Sequence, residues 1–84
     1  MQFTAEIDVM PHPQLLDPQG KTVLNNLSQL DLKGVVYVRI GRHITLQVDA
    51  GSETEAREIV EQACQKLLAN PIVETYRFDL QAAS

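Results

Sequence analysis

The sequence predicts an α+β domain with the element order β-α-β-β-α-β. Two observations carry this prediction: apolar residues alternate with polar ones in several short stretches, and they recur every three or four positions in two longer ones. Because each strand then has one apolar face and each helix one apolar stripe, both helices should pack on one face of an antiparallel sheet. We expect a two-layer sandwich of ferredoxin-like or closely related topology, with residues 1–84 forming a single domain.

The first strand and the first helix are separated by a proline-containing loop. Residues 2–9 alternate cleanly, and two prolines then end the strand because proline cannot donate to a sheet ladder. The apolar members of this strand are Phe3, Ala5, Ile7 and Val9. Asp17 is suited to be a helix N-cap and Pro18 to be the first helical residue. We therefore expect an amphipathic helix over 18–30 that lies on the sheet.

A hairpin should follow the first helix. Residues 31–34 are predicted to form a turn, and the β-branched residues of 35–40 a strand. Gly41 and Arg42 fit a tight connection, although they are a weaker turn signal than Asn-Gly. Residues 43–50 alternate again and complete the hairpin.

The second helix has clearer boundaries than the first. Ser52 followed by Glu55 makes a capping box, and the apolar stripe continues to about Ala69. Cys64 lies within that stripe and is expected to be a buried small hydrophobic residue. The helix should stop before Pro71. The last strand is predicted over 72–80, with Tyr76, Phe78 and Leu80 on one face, and a frayed end over 81–84.

Composition excludes several classes of function. The net charge of −4 argues against binding to nucleic acid or to an anionic membrane, both of which need clustered positive charge. A single cysteine excludes an internal disulfide, and no stretch has a signal-peptide pattern or the ~20 apolar residues of a membrane span. We therefore expect a cytoplasmic protein. Its thin, aromatic-poor core favours oligomerisation.

No pattern in the sequence predicts catalysis. Residues 20–22, Gly-Lys-Thr, look like the end of a phosphate-binding loop, but the glycine that such a loop needs five positions earlier is Leu15. His12 and His43 have no neighbour that suggests a triad or a metal pair. We expect neither a catalytic residue nor a cofactor or metal site in this chain.

Four residues are candidates for contacts with a partner. Gly20 is a poor helix former, so its place in a first turn suggests a close approach by this chain, by another chain or by a ligand. Lys21 is adjacent to it. Arg39 and Arg42 are the densest positive charge in an acidic chain, and they form either a solvated hairpin tip or a contact for a partner's carboxylate.

Three stretches of the sequence, taken together and in this order, resemble a known family. They are Asp17-Pro18-x-Gly20-x-Thr22-Val23, Val38-Arg39-x-Gly41-Arg42 and Cys64-x-x-Leu67-Leu68-Ala69-Asn70-Pro71-Ile72-Val73-Glu74. The family is PurS, the small subunit of phosphoribosylformylglycinamidine (FGAM) synthase, and the likeness extends over nearly the whole chain. It implies structural roles for the motif residues Asp17, Pro18, Gly41, Asn70 and Pro71.

The resemblance implies a subunit that does no chemistry by itself. The enzyme is a glutamine-dependent C–N ligase that converts formylglycinamide ribonucleotide (FGAR) to FGAM in purine biosynthesis. Its synthetase subunit uses ATP and Mg²⁺, its glutaminase subunit releases ammonia, and PurS-like homodimers or tetramers bridge the two. From the residues alone, a stand-alone regulatory domain that binds a small molecule is the alternative.

Overall fold

The computed structural model describes residues 1–15, 17–32 and 34–83. Lys33, in the predicted turn, and Ser84, in the predicted frayed end, lie outside the described residues. The elements are β1 (Gln2–Pro11), α1 (Pro18–Gln29), β2 (Arg42–Asp49), α2 (Glu53–Ala63) and β3 (Glu74–Ala83). A π-helical segment, Cys64–Leu68, continues α2.

The three strands form one antiparallel sheet in the order β2-β1-β3. Ile7 of β1 lies opposite Ile44 of β2 and Phe78 of β3. The predicted apolar residues of β1 are all buried on the inner face of this sheet. The α+β class and the antiparallel sheet are therefore confirmed.

Helix α2 packs on part of the inner face of the sheet. Its inward residues Ala56, Val60 and Cys64 join the core, and burial raises the pKa of the Cys64 thiol. The predicted cap is present, since the Ser52 hydroxyl accepts from the Glu55 N–H at 3.1 Å. The Glu55 carboxylate closes the cap by accepting from the N–H of Gly51, also at 3.1 Å, one residue before the position that the capping box predicts.

The predicted hairpin at Gly41 and Arg42 is wrong. Residues 35–40 belong to no strand or helix, and the chain enters β2 at Arg42 without a turn. A Cβ on Gly41 would lie 2.2 Å from the Val9 carbonyl oxygen and 2.2 Å from Met10 Sδ. Gly41 thus lies against the end of β1. In a hairpin, Gly41 would instead lie in a turn that leaves the sheet. We call residues 35–40 the arm.

Helix α1 does not lie on the sheet of its own chain as predicted. Among its residues only Gly20 is buried, and α1 makes no extensive contact with the strands. The radius of gyration is 16.6 Å, whereas a compact chain of this length has one of about 12 Å. Helix α1 and the arm therefore project from the sheet and α2.

Other boundaries also differ from prediction: β3 begins at Glu74 and not at residue 72, because residues 71–73 form a turn. Pro11 still pairs with Glu74, so β1 runs past the expected end. Proline is tolerated there because the pairing of β1 with β2 ends at Val9, which leaves one side of Pro11 without a neighbouring strand. Residues 81–83 are paired with the start of β1, so they are not a frayed end. The sheet is longer than the alternation of side chains indicated because main-chain pairing does not depend on that alternation.

Candidate interaction surface

Asp17 joins the start of α1 to the arm. One carboxylate oxygen accepts from the Gly20 N–H at 3.0 Å, as the predicted N-cap requires, and the other accepts from the Ile40 N–H at 2.8 Å. These main-chain hydrogen bonds, the one from Gly20 first, lower the pKa of the Asp17 carboxyl. The same side chain therefore caps a helix and fixes a segment 23 residues away.

Gly20 allows α1 and the arm to approach closely. A Cβ at this position would lie 2.2 Å from the Val38 carbonyl oxygen and 2.8 Å from Asp17 Oδ2. The close approach is therefore made by the chain itself. Lys21 follows in the same turn with its side chain exposed. Contacts of Gly20 or Lys21 with a partner stay a prediction.

The body formed by α1 and the arm has an apolar surface with little to cover it. Val36 is 84% exposed and Tyr37 is 65% exposed. Tyr37 and Leu24 line one hollow between α1 and the arm, and Val23 and Ile40 line another. We call these five residues, Val23, Leu24, Val36, Tyr37 and Ile40, the arm surface. Exposed apolar groups held together in this way are typical of an interaction site.

The two candidate arginines have different surroundings. Arg42 makes a bidentate ion pair with Glu74, at 2.6 and 2.9 Å, and also donates to the Leu68 carbonyl oxygen at 2.5 Å. The pair raises the pKa of Arg42 and lowers that of Glu74. Arg39 Nη2, in contrast, is buried and has no hydrogen-bond acceptor among the described residues. Partner contacts by either arginine stay a prediction.

Asn70 and Pro71 lie in the turn that leads into β3. The Asn70 carbonyl oxygen accepts from the Glu74 N–H at 2.7 Å, and its side-chain oxygen accepts from the Ile72 N–H at 3.1 Å. His12 contacts the Pro71 carbonyl oxygen at 3.4 Å. This turn and Arg42 together hold the start of β3 beside the base of the arm.

The outer face of the sheet carries a charged cluster that the sequence did not reveal. His43 places Nδ1 2.7 Å from Asp8 and Nε2 2.5 Å from Glu6. Because a neutral imidazole has only one N–H, both contacts are hydrogen bonds only when the ring is protonated. Asp8 first and then Glu6 raise the pKa of His43, and the histidine lowers the pKa of each carboxyl.

This cluster should make stability depend on pH. Folding raises the pKa of His43 above its ordinary 6.5, so its contribution is complete below that value and is lost as pH rises through the folded-state pKa. We expect the melting temperature of the protein to fall, relative to that of His43→Gln, as the pH rises above 6.5 through the raised folded-state pKa. His12→Gln is the control and should retain the wild-type dependence. Identical pH profiles for the wild type and His43→Gln would contradict the assignment.

The described residues offer no metal site. Within residues 1–15, 17–32 and 34–83, no group of three His, Cys, Asp or Glu side chains is placed to hold a metal ion. No helix in the same part of the chain is long and apolar enough to cross a membrane. The most distinctive feature of the molecule is thus the projecting body of α1 and the arm.

Comparison of the sequence with known families and proteins gives a consistent result. The family model "PurS: Phosphoribosylformylglycinamidine (FGAM) synthase" matches residues 4–82. The chain is 39% identical over 80 residues to the phosphoribosylformylglycinamidine synthase subunit PurS of Synechocystis, a match that covers 95% of this chain and 80% of that protein. It is also 39% identical to the PurS subunit of Thermotoga maritima, with 88% and 90% covered.

Solved structures share the fold. A chain in the structure of PurLQS from Thermotoga maritima matches with a TM-score of 0.88 at 36% identity, covering 96% of this chain and 99% of that one. Bacillus subtilis PurS matches with a TM-score of 0.85 at 31% identity, covering 95% and 99%. The projecting shape of the single chain is therefore compatible with the shape of these relatives.

Proposed function

The chain belongs to the PurS family, and from that premise we propose that it is the non-catalytic small subunit of an FGAM synthase. The observation that carries the proposal is its match, over nearly its full length, to a chain in the structure of PurLQS. The site supports the proposal, since the described residues present an apolar arm surface that a partner can contact. The reaction is the ATP- and glutamine-dependent conversion of FGAR to FGAM.

We propose a bridging role for this subunit within the complex. ATP and Mg²⁺ bind the synthetase subunit, and the glutaminase subunit supplies ammonia. The small subunit holds the two together and supports the passage of ammonia between them, in the cytoplasm. The net charge of −4 argues against nonspecific binding of nucleic acid by this subunit.

We further propose that the small subunit self-associates, as a dimer or tetramer, by exchanging α1 and the arm. The outer edge of β2 has no strand beside it in the described part of the chain, and the arm pairs with none of the three strands. In a ferredoxin-like hairpin the arm would occupy that edge. Here the arm projects away, so the arm of a second copy can occupy it.

The helices support the same exchange. The apolar residues of α1 are half-buried or exposed in one chain, while the inner face of the sheet is only partly covered beside α2. The half-buried inner residues that would accept a second helix are Ile44, Leu46, Phe78 and Leu80. Each copy therefore offers the helix and the strand that the other lacks, and exchange completes two β-α-β-β-α-β units.

Reconstitution tests the proposed function. The synthetase and glutaminase subunits are assayed for FGAM synthesis with glutamine as nitrogen donor, with and without this protein. We expect glutamine-dependent synthesis to require the protein. The control is synthesis with added ammonium salt, which needs no transfer of ammonia between subunits. This synthesis should depend much less on the presence of the protein. Equal glutamine-dependent rates in its presence and absence would contradict the proposal.

A further inference from the structure

The end of α2 exposes a leucine that a continuous α-helix would bury. Ala56, Val60 and Cys64 are the buried residues of this helix and its continuation. Leu67 follows Val60 by seven positions, which is nearly two full turns, so in an α-helix it would point within about 20° of Val60. It is instead 83% exposed. The predicted continuation of the buried stripe is therefore wrong at Leu67.

The π-helical segment Cys64–Leu68 accounts for this exposure. A π-helical turn contains more residues than an α-helical one, so the segment brings Leu68 against the core and turns Leu67 away from it. Such turns are rare and are frequently found at functional sites. An apolar side chain that an irregular backbone directs away from the core is suited to contact another molecule.

The turn after this segment presents a second apolar side chain. Ile72 is 83% exposed, although its main chain is held, since the Asn70 side-chain oxygen accepts from the Ile72 N–H at 3.1 Å. Glu74 accepts from the Asn70 N–H at 2.8 Å, and Arg42 binds both Glu74 and the carbonyl oxygen of Leu68. The turn is thus joined to the π-helical segment, and a partner that binds there has little conformational entropy to remove.

Lys66 adds a positive charge beside Leu67. Its side chain is exposed, and no carboxylate in the described part of the chain forms an ion pair with it. We call Lys66, Leu67 and Ile72 the turn surface. The proposed self-association uses none of the three, because it joins α1 and the arm to the β2 edge and the inner face of the sheet. A second copy therefore leaves the turn surface open to a different partner.

We propose that the turn surface binds a larger subunit of the synthase, which receives Leu67 and Ile72 in an apolar recess bordered by an acidic side chain. Such a recess complements both the two apolar groups and the unpaired lysine. The inference rests on the proposed function and deepens it by naming the surface and the chemistry of the contact.

The test measures the binding of Leu67→Gln and Ile72→Gln to the purified synthetase and glutaminase subunits by sedimentation, with glutamine and nucleotide present. Glutamine removes apolar surface without adding charge. We expect each substitution to raise the dissociation constant for a larger subunit about 10- to 100-fold, as for the loss of one buried leucine or isoleucine side chain. Leu30→Gln, at a position 69% exposed after α1, is the matched control and should leave it unchanged.

Wild-type binding of both variants to both larger subunits would overturn the inference. A fall in the mass of an isolated variant, with its binding to the larger subunits unchanged, would assign the turn surface to a second copy and overturn it as well. A wild-type protein that binds neither larger subunit would instead refute the proposed function, so the failures are distinguishable. Lys66→Glu should also weaken binding, most strongly at low salt, and equal binding there would overturn the acidic border of the recess.

A measurement on the wild-type protein covers the case in which a variant does not fold. Hydroxyl-radical oxidation of Leu67 and Ile72 is followed by mass spectrometry in the isolated protein and in the reconstituted synthase. We expect both side chains to be protected in the synthase. Equal oxidation in the two samples would overturn the inference.

Discussion

Replacing Gly20 with alanine is expected to lower the free energy of unfolding by about 1–3 kcal/mol, the usual cost of overpacking. The direction is opposite to that of helix propensity, which favours alanine over glycine by about 1 kcal/mol. Steric overlap dominates because the added methyl would lie 2.2 Å from the Val38 carbonyl oxygen, a main-chain atom that the Ile40 bond to Asp17 holds nearby. Helix α1 would have to move away from the arm.

Gly34→Ala is the matched control for this prediction. A Cβ at Gly34 has no atom within 4 Å, and its φ is not positive. Chemical denaturation of the two variants at one protein concentration should therefore separate them, with Gly34→Ala close to the wild type. Self-association of Gly20→Ala should weaken as well, because the arm surface depends on α1 and the arm remaining together. Wild-type stability for Gly20→Ala would show that the close approach is not needed.

The sequence predicted those features that depend on neighbouring residues. Alternation along β1 identified its buried face because side chains on a strand point to opposite sides in turn. Asp17 and Ser52 were identified as caps because a cap acts on a residue three positions away. Cys64 was predicted to be buried from its place in the stripe of α2, and it is.

Features that depend on distant residues were not predictable in this way. Glycine is a common residue in turns, so Gly41 was predicted to lie in one. Only its closeness to Val9 and Met10 shows that the chain continues straight into β2. The His43 cluster requires the register that places Asp8 opposite His43. Arg42 was interpreted as part of a solvated hairpin tip or as a contact for a partner's carboxylate, because its actual partner Glu74 is 32 residues away in sequence. For the His43 cluster one cue was present in the sequence, since the polar residues of β1 alternate as regularly as the apolar ones.

The arm also shows why four strands were predicted from the sequence although the sheet of the single chain has three. Residues 35–40 are rich in β-branched side chains, as is typical of a strand. Such a composition indicates that a segment lies in a sheet, but it does not indicate which chain supplies the rest of that sheet. Under the proposed exchange the prediction of a fourth strand is correct for the assembly and wrong for the isolated chain. The same reasoning applies to α1, whose apolar stripe predicted a sheet beneath it.

Val36→Asp is expected to raise the dissociation constant for self-association by at least about 100-fold, because a carboxylate buried without a partner costs several kcal/mol. A symmetric dimer contains two copies of the substituted residue, so this cost in association free energy is incurred twice. Val36 is 84% exposed in the single chain, so the substitution should leave the secondary structure of that chain intact. Gln62→Asp, which adds the same charge at an exposed position of α2, is the control and should not change the mass measured by light scattering.

The outcome of this substitution also distinguishes the partners of the arm surface. If the arm contacts a second copy, Val36→Asp should lower the mass of the isolated protein and, in parallel, glutamine-dependent synthesis in the reconstituted complex. If the arm instead contacts a larger subunit, the isolated protein would keep its wild-type mass while synthesis fails, and the exchange would be refuted. Because α1 and the arm have no core of their own in one chain, we expect the first result.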